Sequence, residues 1–267
     1  MSQNRRKVYA LSLLLACTSV VALSATLLTG SAQRKPLTTK ILRQQDQMQA
    51  GKQPTNKEMD DAAAPIVDLT ESSNTPADDK RKQKNKRFDN SLAESIEANP
   101  TSEEVNIASE GLVSDMPTAL SDLIVEGHVK GSGAFLSEDK TGIYSEFTVQ
   151  VSDVIKSSAP VSKGDIITTE RFGGRVRFPS GQIARYRVAG QGAPAKGGKY
   201  LFFLKRRADG DYLILTAYEM RGNKVLALDG PRSNVHGRGS SQFDKHNGKD
   251  AQEFRKEVSA AAQGGAK

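Results

Sequence analysis

The sequence predicts a mainly β protein, a small antiparallel barrel or sandwich carried on a long polar segment. Three observations predict it. Eleven of the 15 aromatic residues lie between Phe135 and Tyr218. Only Phe88 falls among the 86 residues from 33 to 118. Beyond residue 118, short runs of period-two alternation are punctuated by tight-turn signals. A single core spanning all 267 residues, only 37% of them hydrophobic, is therefore excluded. One Cys also excludes a disulfide scaffold or a thiolate metal cluster.

The chain opens with Arg5-Arg6-Lys7 and an uncharged apolar run from Val8 to Gly30. At 1.5 Å per residue that run reaches roughly 34 Å, enough to cross a hydrocarbon core of about 30 Å. Basic residues before it predict an N-in, C-out orientation. Residues 1–32 are thus read as a signal anchor or a signal peptide. Gly30-Ser31-Ala32 and Ala22-Leu23-Ser24 both offer the small residues of a cleavage site. Leu14-Leu15-Ala16-Cys17 has the outline of a lipobox, although apolar sequence continues beyond Cys17, which otherwise reads as a small hydrophobe. Every version places the C-terminal bulk outside the cytoplasm, membrane-anchored in the periplasm or at the cell surface, or secreted if cleaved.

Residues 33–118 carry 12 Lys/Arg against 15 Asp/Glu, with scattered Pro. So little apolar area cannot offset the entropy of ordering, and the stretch is expected to be a disordered linker. Transient helix is expected at Thr39–Met48 and at Leu92–Ala98, the second behind a Ser91-x-x-Glu94 capping box. A coil of this length spans roughly 50 Å. The basic run at Lys80, Arg81, Lys82, Lys84, Lys86 and Arg87 resembles a nucleic-acid or localisation patch in isolation. Within an exported linker it reads as a solvated charge run, with a surface toward anionic lipid head groups or cell-wall polymers as the alternative.

Residues 119–230 form the folded module. Leu123–Val129 is a strand with Val125 and Val129 on one face, Glu126 and His128 on the other, and a bulge or coil point at Gly127. After a polar turn at Ser137–Gly142, Ile143, Phe147, Val149 and Val151 point inward, and Tyr144, Glu146, Thr148 and Gln150 outward. Lys163-Gly164-Asp165 turns into the strand Ile166–Arg171. Pro179-Ser180-Gly181 fits a three-residue hairpin loop with Gly in the left-handed position. This register pairs Arg175 with Arg185. It gathers Val176, Phe178, Ala184, Tyr186 and Val188 on one face, and Arg175, Arg177, Arg185 and Arg187 with Ile183 on the other. After a glycine-rich loop at Gly190–Gly198, the unbroken apolar run Tyr200–Leu204 predicts a strand covered on both sides. Asp209-Gly210 turns into Tyr212–Thr216, and Arg221–Lys224 into Val225–Leu228. The tail, 231–267, is expected to be flexible apart from a short helix at 250–262 capped by Asp250, with Glu253 closing a capping box.

Asp122–Val129, Tyr144–Lys156, Gly173-Gly174 and Tyr200–Leu204 stand in the order of a recurring, largely uncharacterised bacterial exported or membrane-anchored β-module family, which this chain resembles. The same order is similar to netrin-like, metalloproteinase-inhibitor-type OB modules. That resemblance implies a five-stranded, curled OB-like barrel over about 110 residues. It implies nothing about inhibition or disulfides, since the module holds no Cys.

No HExxH, Gly-x-Ser-x-Gly, P-loop or acidic metal cluster occurs. The three histidines are His128, an outward strand residue, and His236 and His246 in the tail. No enzyme activity, catalytic residue, metal or cofactor is therefore expected. The arginine face is the candidate site. Opposed like charges destabilise a sheet by some tenths of a kcal/mol per pair unless neutralised, and Glu170 is a candidate neutraliser. Alternatively Arg175, Arg177, Arg185 and Arg187 form an anion-binding patch, where the planar guanidinium suits carboxylate, phosphate or sulfate. The functional expectation is a membrane-tethered or exported, non-catalytic binding module for an anionic polymer, a lipid head group or an envelope protein. The alternatives are a structural spacer, or a nucleic-acid-binding OB domain if the module is cytoplasmic. Nucleic acid is disfavoured by the exported topology and because Phe178 and Tyr186 lie on the face away from the arginines. The net charge of +7 divides into +3 for the N-terminal arm, −3 for the linker, +4 for the module and +3 for the tail.

Overall fold

The structure, a computed structural model, describes residues 63–70, 78–97, 102–107, 114–230 and 243–264. Strand β1 (Ile66–Asp68), helix α1 (Asp79–Lys86) and strand β2 (Glu104–Ile107) come first. Eight strands follow: β3 (Leu123–Leu136), β4 (Ile143–Ser157), β5 (Ile166–Phe172), β6 (Gly174–Arg177), β7 (Ile183–Val188), β8 (Lys199–Arg206), β9 (Tyr212–Arg221) and β10 (Lys224–Ala227). A 3-10 turn at Asp244–His246 leads to helix α2 (Ala251–Gly264). The anticipated membrane segment Val8–Gly30, the helix expected at Thr39–Met48, Cys17 and His236 lie outside the described residues. Among the described residues, no helix is long and apolar enough to cross a membrane.

The chain is mainly β, in two sheets. In the larger one, β4 pairs antiparallel with β3 and β5, β3 with β8, and β8 with β9. A short parallel ladder, Thr169 to Tyr212 and Glu170 to Leu213, joins β5 to β9 and makes the sheet ring-like. β10 extends it from β9 through the two-residue turn Gly222-Asn223. Closing so few strands needs strong curvature, and β3 supplies it with irregularities at Ile124/Val125, Glu126/Gly127 and Val129/Gly131. Gly127 is required there by close packing. A Cβ on it would lie 2.5 Å from Val149 Cγ1 and 3.0 Å from the Gln150 carbonyl oxygen.

Alternation fills the ring. Leu123, Val125, Phe147, Val149, Val151, Phe202 and Leu204 meet inside it. Leu201 and Phe203 face the other way, so β8 is covered on both sides, as its apolar run predicts. The outer cover corrects the expectation of a flexible tail. α2 presents Phe254 and Val258, one turn apart, to Leu201, Phe203 and Tyr218, and Phe243 joins them. Burying two such side chains contributes about 3–6 kcal/mol before ordering entropy is subtracted. Asp250 caps the helix as expected: its Oδ1 accepts from the amides of Gln252 at 2.9 Å and Glu253 at 3.2 Å.

The smaller sheet runs β1-β6-β7-β2. β6 and β7 form the expected hairpin, with Arg175 opposite Arg185 and Val176 opposite Ala184. The Phe178 amide donates to the Gln182 carbonyl at 2.9 Å, and Gly181 takes φ +83°. Val176, Phe178, Ala184, Tyr186 and Val188 are buried together, with Ile143 of β4 and Ala134 of β3.

Its outer strands overturn part of the linker expectation. β1 pairs in parallel with β6, and β2 in parallel with β7. Val67, Leu69, Leu92, Ile96, Val105 and Ile107 complete the apolar layer under the hairpin. Residues that look too sparse to form a core of their own are thus spent on the core of the module. The helix expected at Leu92–Ala98 is absent over its described part, 92–97. There the Ile96 amide donates to the Lys140 carbonyl at 2.8 Å, which holds the segment against the β3–β4 turn in place of a helical bond. Tyr144, expected outward, is buried because Phe88 stacks on it at 4.0 Å with 5° between the ring planes.

Candidate functional site

The hairpin register places all four arginines of the predicted patch on one face. Arg175 and Arg185 are directly opposed, with Arg177 and Arg187 at the two diagonal ends. The flanking strands bring carboxylates to that face. Asp68 stands in register with Arg177 and Glu104 with Arg185. Arg177 Nη1 lies 3.3 Å from Asp68 Oδ2, and Arg187 Nη2 pairs with Glu104 Oε1. Arg175 uses its Nε to donate to the Ala64 carbonyl at 2.8 Å, and its amide to donate to Pro65. Arg185 is 9% exposed, and its amide donates to the Glu103 carbonyl at 2.9 Å. Hydrogen bonds from the Thr70 hydroxyl and amide, and then the Arg177 charge, hold the Asp68 carboxyl below the usual carboxylate range.

Asp68 and Glu104 therefore neutralise Arg177 and Arg187 on this face. Glu170, the neutraliser expected from the sequence, lies elsewhere. It is fully buried on the ring, where it meets Arg87 at 2.7 Å and Arg207 at 3.3 Å. β5 points it toward α1 and away from the hairpin arginines, and no parity argument within the hairpin could have placed it.

Between hairpin and ring lies a small concavity lined by Arg171, Arg185, Arg187, Gln191 and Gly192. Arg171 in its lining is held by a buried bidentate pair: its Nη1 and Nη2 each donate to an Asp229 oxygen at 2.7 Å. The Gly192 carbonyl accepts from Arg171 at 2.6 Å, and the Gly192 amide donates to Asp229 at 3.0 Å. Arg171 Nε, Arg187 Nε and Gln191 Oε1 have no hydrogen-bond partner among the described residues. The guanidinium face thus continues inward as a polar notch.

The histidines are placed differently from expectation. His128 is half-buried on β3, while Glu126 beside it is buried and pairs with Lys199 at 2.6 Å and Arg255 at 3.4 Å. His246, expected in a flexible tail, is buried. Its Nε2 is 2.7 Å from Asp115 Oδ2, and its ring packs against Tyr218 and Phe254. His246 Nδ1 makes no hydrogen bond among the described residues and lies 3.9 Å from Glu257 Oε2. Among the described residues no group of three or more His, Cys, Asp or Glu could hold a metal ion.

The basic run at 80–87, expected to be solvated, is exposed at Lys80, Lys82 and Lys86 but not at Arg81, Lys84 and Arg87. Lys84 is only 5% exposed, and Arg81 and Arg87 are ion-paired to the ring. The available signal was spacing: Arg81, Lys84 and Arg87 recur every three residues and are followed by the segment's one aromatic, Phe88. No protein-family model matches this sequence, and a search of the curated proteins finds no match.

Proposed function

We propose that this chain is a non-catalytic, exported or membrane-tethered binding module whose arginine hairpin recognises carboxylates on extended segments of a partner protein. One observation carries the reading: the hairpin already holds two extended acidic segments of its own chain, one along each edge. In both cases a parallel ladder fixes the backbone, a β-branched residue enters the apolar layer, and a carboxylate meets an arginine. Strand addition of this kind draws affinity from main-chain bonds and specificity from alternate side chains. A carboxylate ligand suits the planar fork of arginine.

The five-stranded ring supports an OB-like barrel, with hairpin β6–β7 inserted between its third and fourth strands. The proposed anchor is Val8–Gly30, with the module on the extracytoplasmic side. The test uses a labelled peptide of residues 102–107, Ser-Glu-Glu-Val-Asn-Ile, titrated onto the full chain. Replacing Val105 and Ile107 by Ser in the chain should free the β7 edge and tighten peptide binding. Adding Arg185→Gln and Arg187→Gln should abolish it. Undetectable peptide binding, with a free anionic polymer retained equally by all variants, would sink the reading. A C-terminal reporter fusion in intact cells tests the compartment, and a cytoplasmic signal would move the ligand class toward nucleic acid.

A further inference from the structure

The outer face of the ring carries a second charged feature, of opposite sign and independent of the hairpin. Glu146 on β4 and Glu170 on β5 are direct cross-strand partners. Asp209 and Asp211 from the β8–β9 turn join them through their shared cationic partners. Two opposed carboxylates, one of them fully buried, are costly unless a cation sits between them. Burial pushes the Glu170 carboxyl above the usual range even with Arg87, Lys84 and Arg207 beside it.

α1 and its C-cap residue Arg87 provide those cations from one face. Arg81 forks onto Glu146, with Nη1 also donating to the Tyr144 hydroxyl at 3.0 Å and Nη2 to Glu146 Oε2 at 3.2 Å. Lys84 inserts among Glu146, Asp211 and Glu170. Arg87 spans Glu170 at 2.7 Å and Asp209 at 3.2 Å. Phe88 closes the end, stacked on Tyr144 and edge-on to Phe172 at 4.8 Å. Asn85 Oδ1 accepts from the Tyr144 hydroxyl at 2.7 Å.

The helix itself contributes little to this arrangement. Its sequence, Asp-Lys-Arg-Lys-Gln-Lys-Asn-Lys, has no apolar residue, and it is eight residues long. Isolated helices that short do not persist in water, and a helix polar all round has no face of its own to bury. α1 is therefore a ligand in cis, ordered by the cleft that receives it. Its remaining cations, Lys80, Lys82 and Lys86, point to solvent and take no part.

We infer that the cleft formed by Glu146, Glu170, Asp209 and Asp211 is a recognition site for a basic helical peptide of a partner protein. The peptide bears Arg or Lys at positions i, i+3 and i+6 and an aromatic residue at i+7, and α1 is the resident, displaceable occupant. Charge complementarity selects the class, and the Tyr144–Phe172 aromatic wall selects the residue at i+7. A partner must outcompete a tethered segment whose effective concentration is in the millimolar range. The site is thus closed to weak basic peptides and open to strong ones.

The probe is a labelled peptide of residues 78–91, followed by fluorescence anisotropy on the full chain. Arg81→Glu, Lys84→Glu and Arg87→Glu together should expel α1 and tighten peptide binding at least tenfold over the wild-type chain. Glu146→Gln and Glu170→Gln in that background should remove the gain, whereas Arg185→Gln and Arg187→Gln should leave it intact, which separates this site from the hairpin. If the triple variant does not fold, hydrogen exchange on the wild-type chain decides. Excess unlabelled peptide should accelerate exchange of the amides of Lys82, Arg87 and Phe88 at least threefold. No binding to a folded triple variant, unaltered exchange on the wild-type chain, or binding indifferent to the two glutamate substitutions would overturn the inference. So would concentration-dependent dimerisation abolished by the triple variant, which would assign the cleft to a second copy of this chain.

Discussion

Phe88→Ala distinguishes a passing linker from a segment built into the fold. Phe88 is 1% exposed, stacked on Tyr144 and edge-on to Phe172. Truncating a fully buried Phe costs about 3–5 kcal/mol, of which the paired ring geometry accounts for about 0.5–1.5 kcal/mol. For a folded unit of this size each kcal/mol moves the melting temperature by about 2–4 °C, so the midpoint should fall by roughly 6–20 °C. The lower end applies if the segment can undock while the ring stays folded, because the loss is then capped at the free energy of docking. The assay is thermal unfolding of the full chain by circular dichroism, with Leu120→Ala as comparator. Leu120 is 55% exposed, and its truncation should stay within about 0.5 kcal/mol of the parent. Phe88→Leu, which keeps most of the volume but loses the stack, should fall between the two. If Phe88→Ala melts within 1–2 °C of the parent, Phe88 contributes nothing to the module, and the segment is a passenger.

Gly127→Ala should destabilise the ring by about 1–3 kcal/mol in denaturant unfolding, because its Cβ meets Val149 Cγ1 at 2.5 Å across a bulge that cannot widen without opening β3 from β4. Asp229→Asn leaves Arg171 buried and half-paired beneath the hairpin, and a loss of about 3–5 kcal/mol is expected in the same measurement. The C-terminal cap should be acid-labile. Burial pushes the Asp115 carboxyl up, but hydrogen bonds from Lys245 and His246 outweigh it and hold the group below its ordinary 3.8. A depressed carboxylate contributes stability that is full above its unfolded value and lost as pH falls through the folded one. Near-UV circular dichroism of the Tyr218 environment should therefore hold at pH 5 and collapse below about pH 4, with the acid transition flattened in Asp115→Asn.

The parts of the fold legible in the sequence are those where two local constraints agree. In the hairpin, side-chain parity and the length of Pro179-Ser180-Gly181 demand the same register, and Arg175 opposite Arg185 follows from either. In β8, five consecutive apolar residues leave no polar face, so cover on both sides is implied even though the covering helix is not. What stayed illegible is fixed by distant partners. The ring closes on a parallel ladder of two residue pairs between β5 and β9, too short to leave a periodic trace. β1 has three residues and β2 four, and each draws its register from a hairpin edge more than 75 residues downstream in the chain. Phe88 and Ile96 are buried singly within polar surroundings, so a window average reads the stretch as soluble coil. The arginine face followed from the same parity as the hairpin. Its neutralisers did not, because Asp68 and Glu104 reach it only through those two short strands.

Charge shows why composition alone misleads here. Residues 63–107 hold six basic and nine acidic residues, a near balance that suggests indifference to the module. In space the signs are sorted. The acids on β1 and β2 meet the arginines of the hairpin, and the bases of α1 meet the carboxylates of the ring. The two sets of contacts should not respond alike to their surroundings. Arg177 and Arg187 are 47% and 34% exposed, so their pairs with Asp68 and Glu104 are screened by salt and each is worth less than about 1 kcal/mol. Lys84 and Glu170, at 5% and 0%, are shielded from salt, but each is strongly destabilising if left alone. The outer strands are therefore held on the hairpin mainly by main-chain pairing and apolar packing. The strong contacts instead make an empty cleft costly, because Glu170 would be left buried without a cation. A chain whose summed charge says little thus presents two faces of opposite sign, each covered by the part of its own sequence that the other would repel.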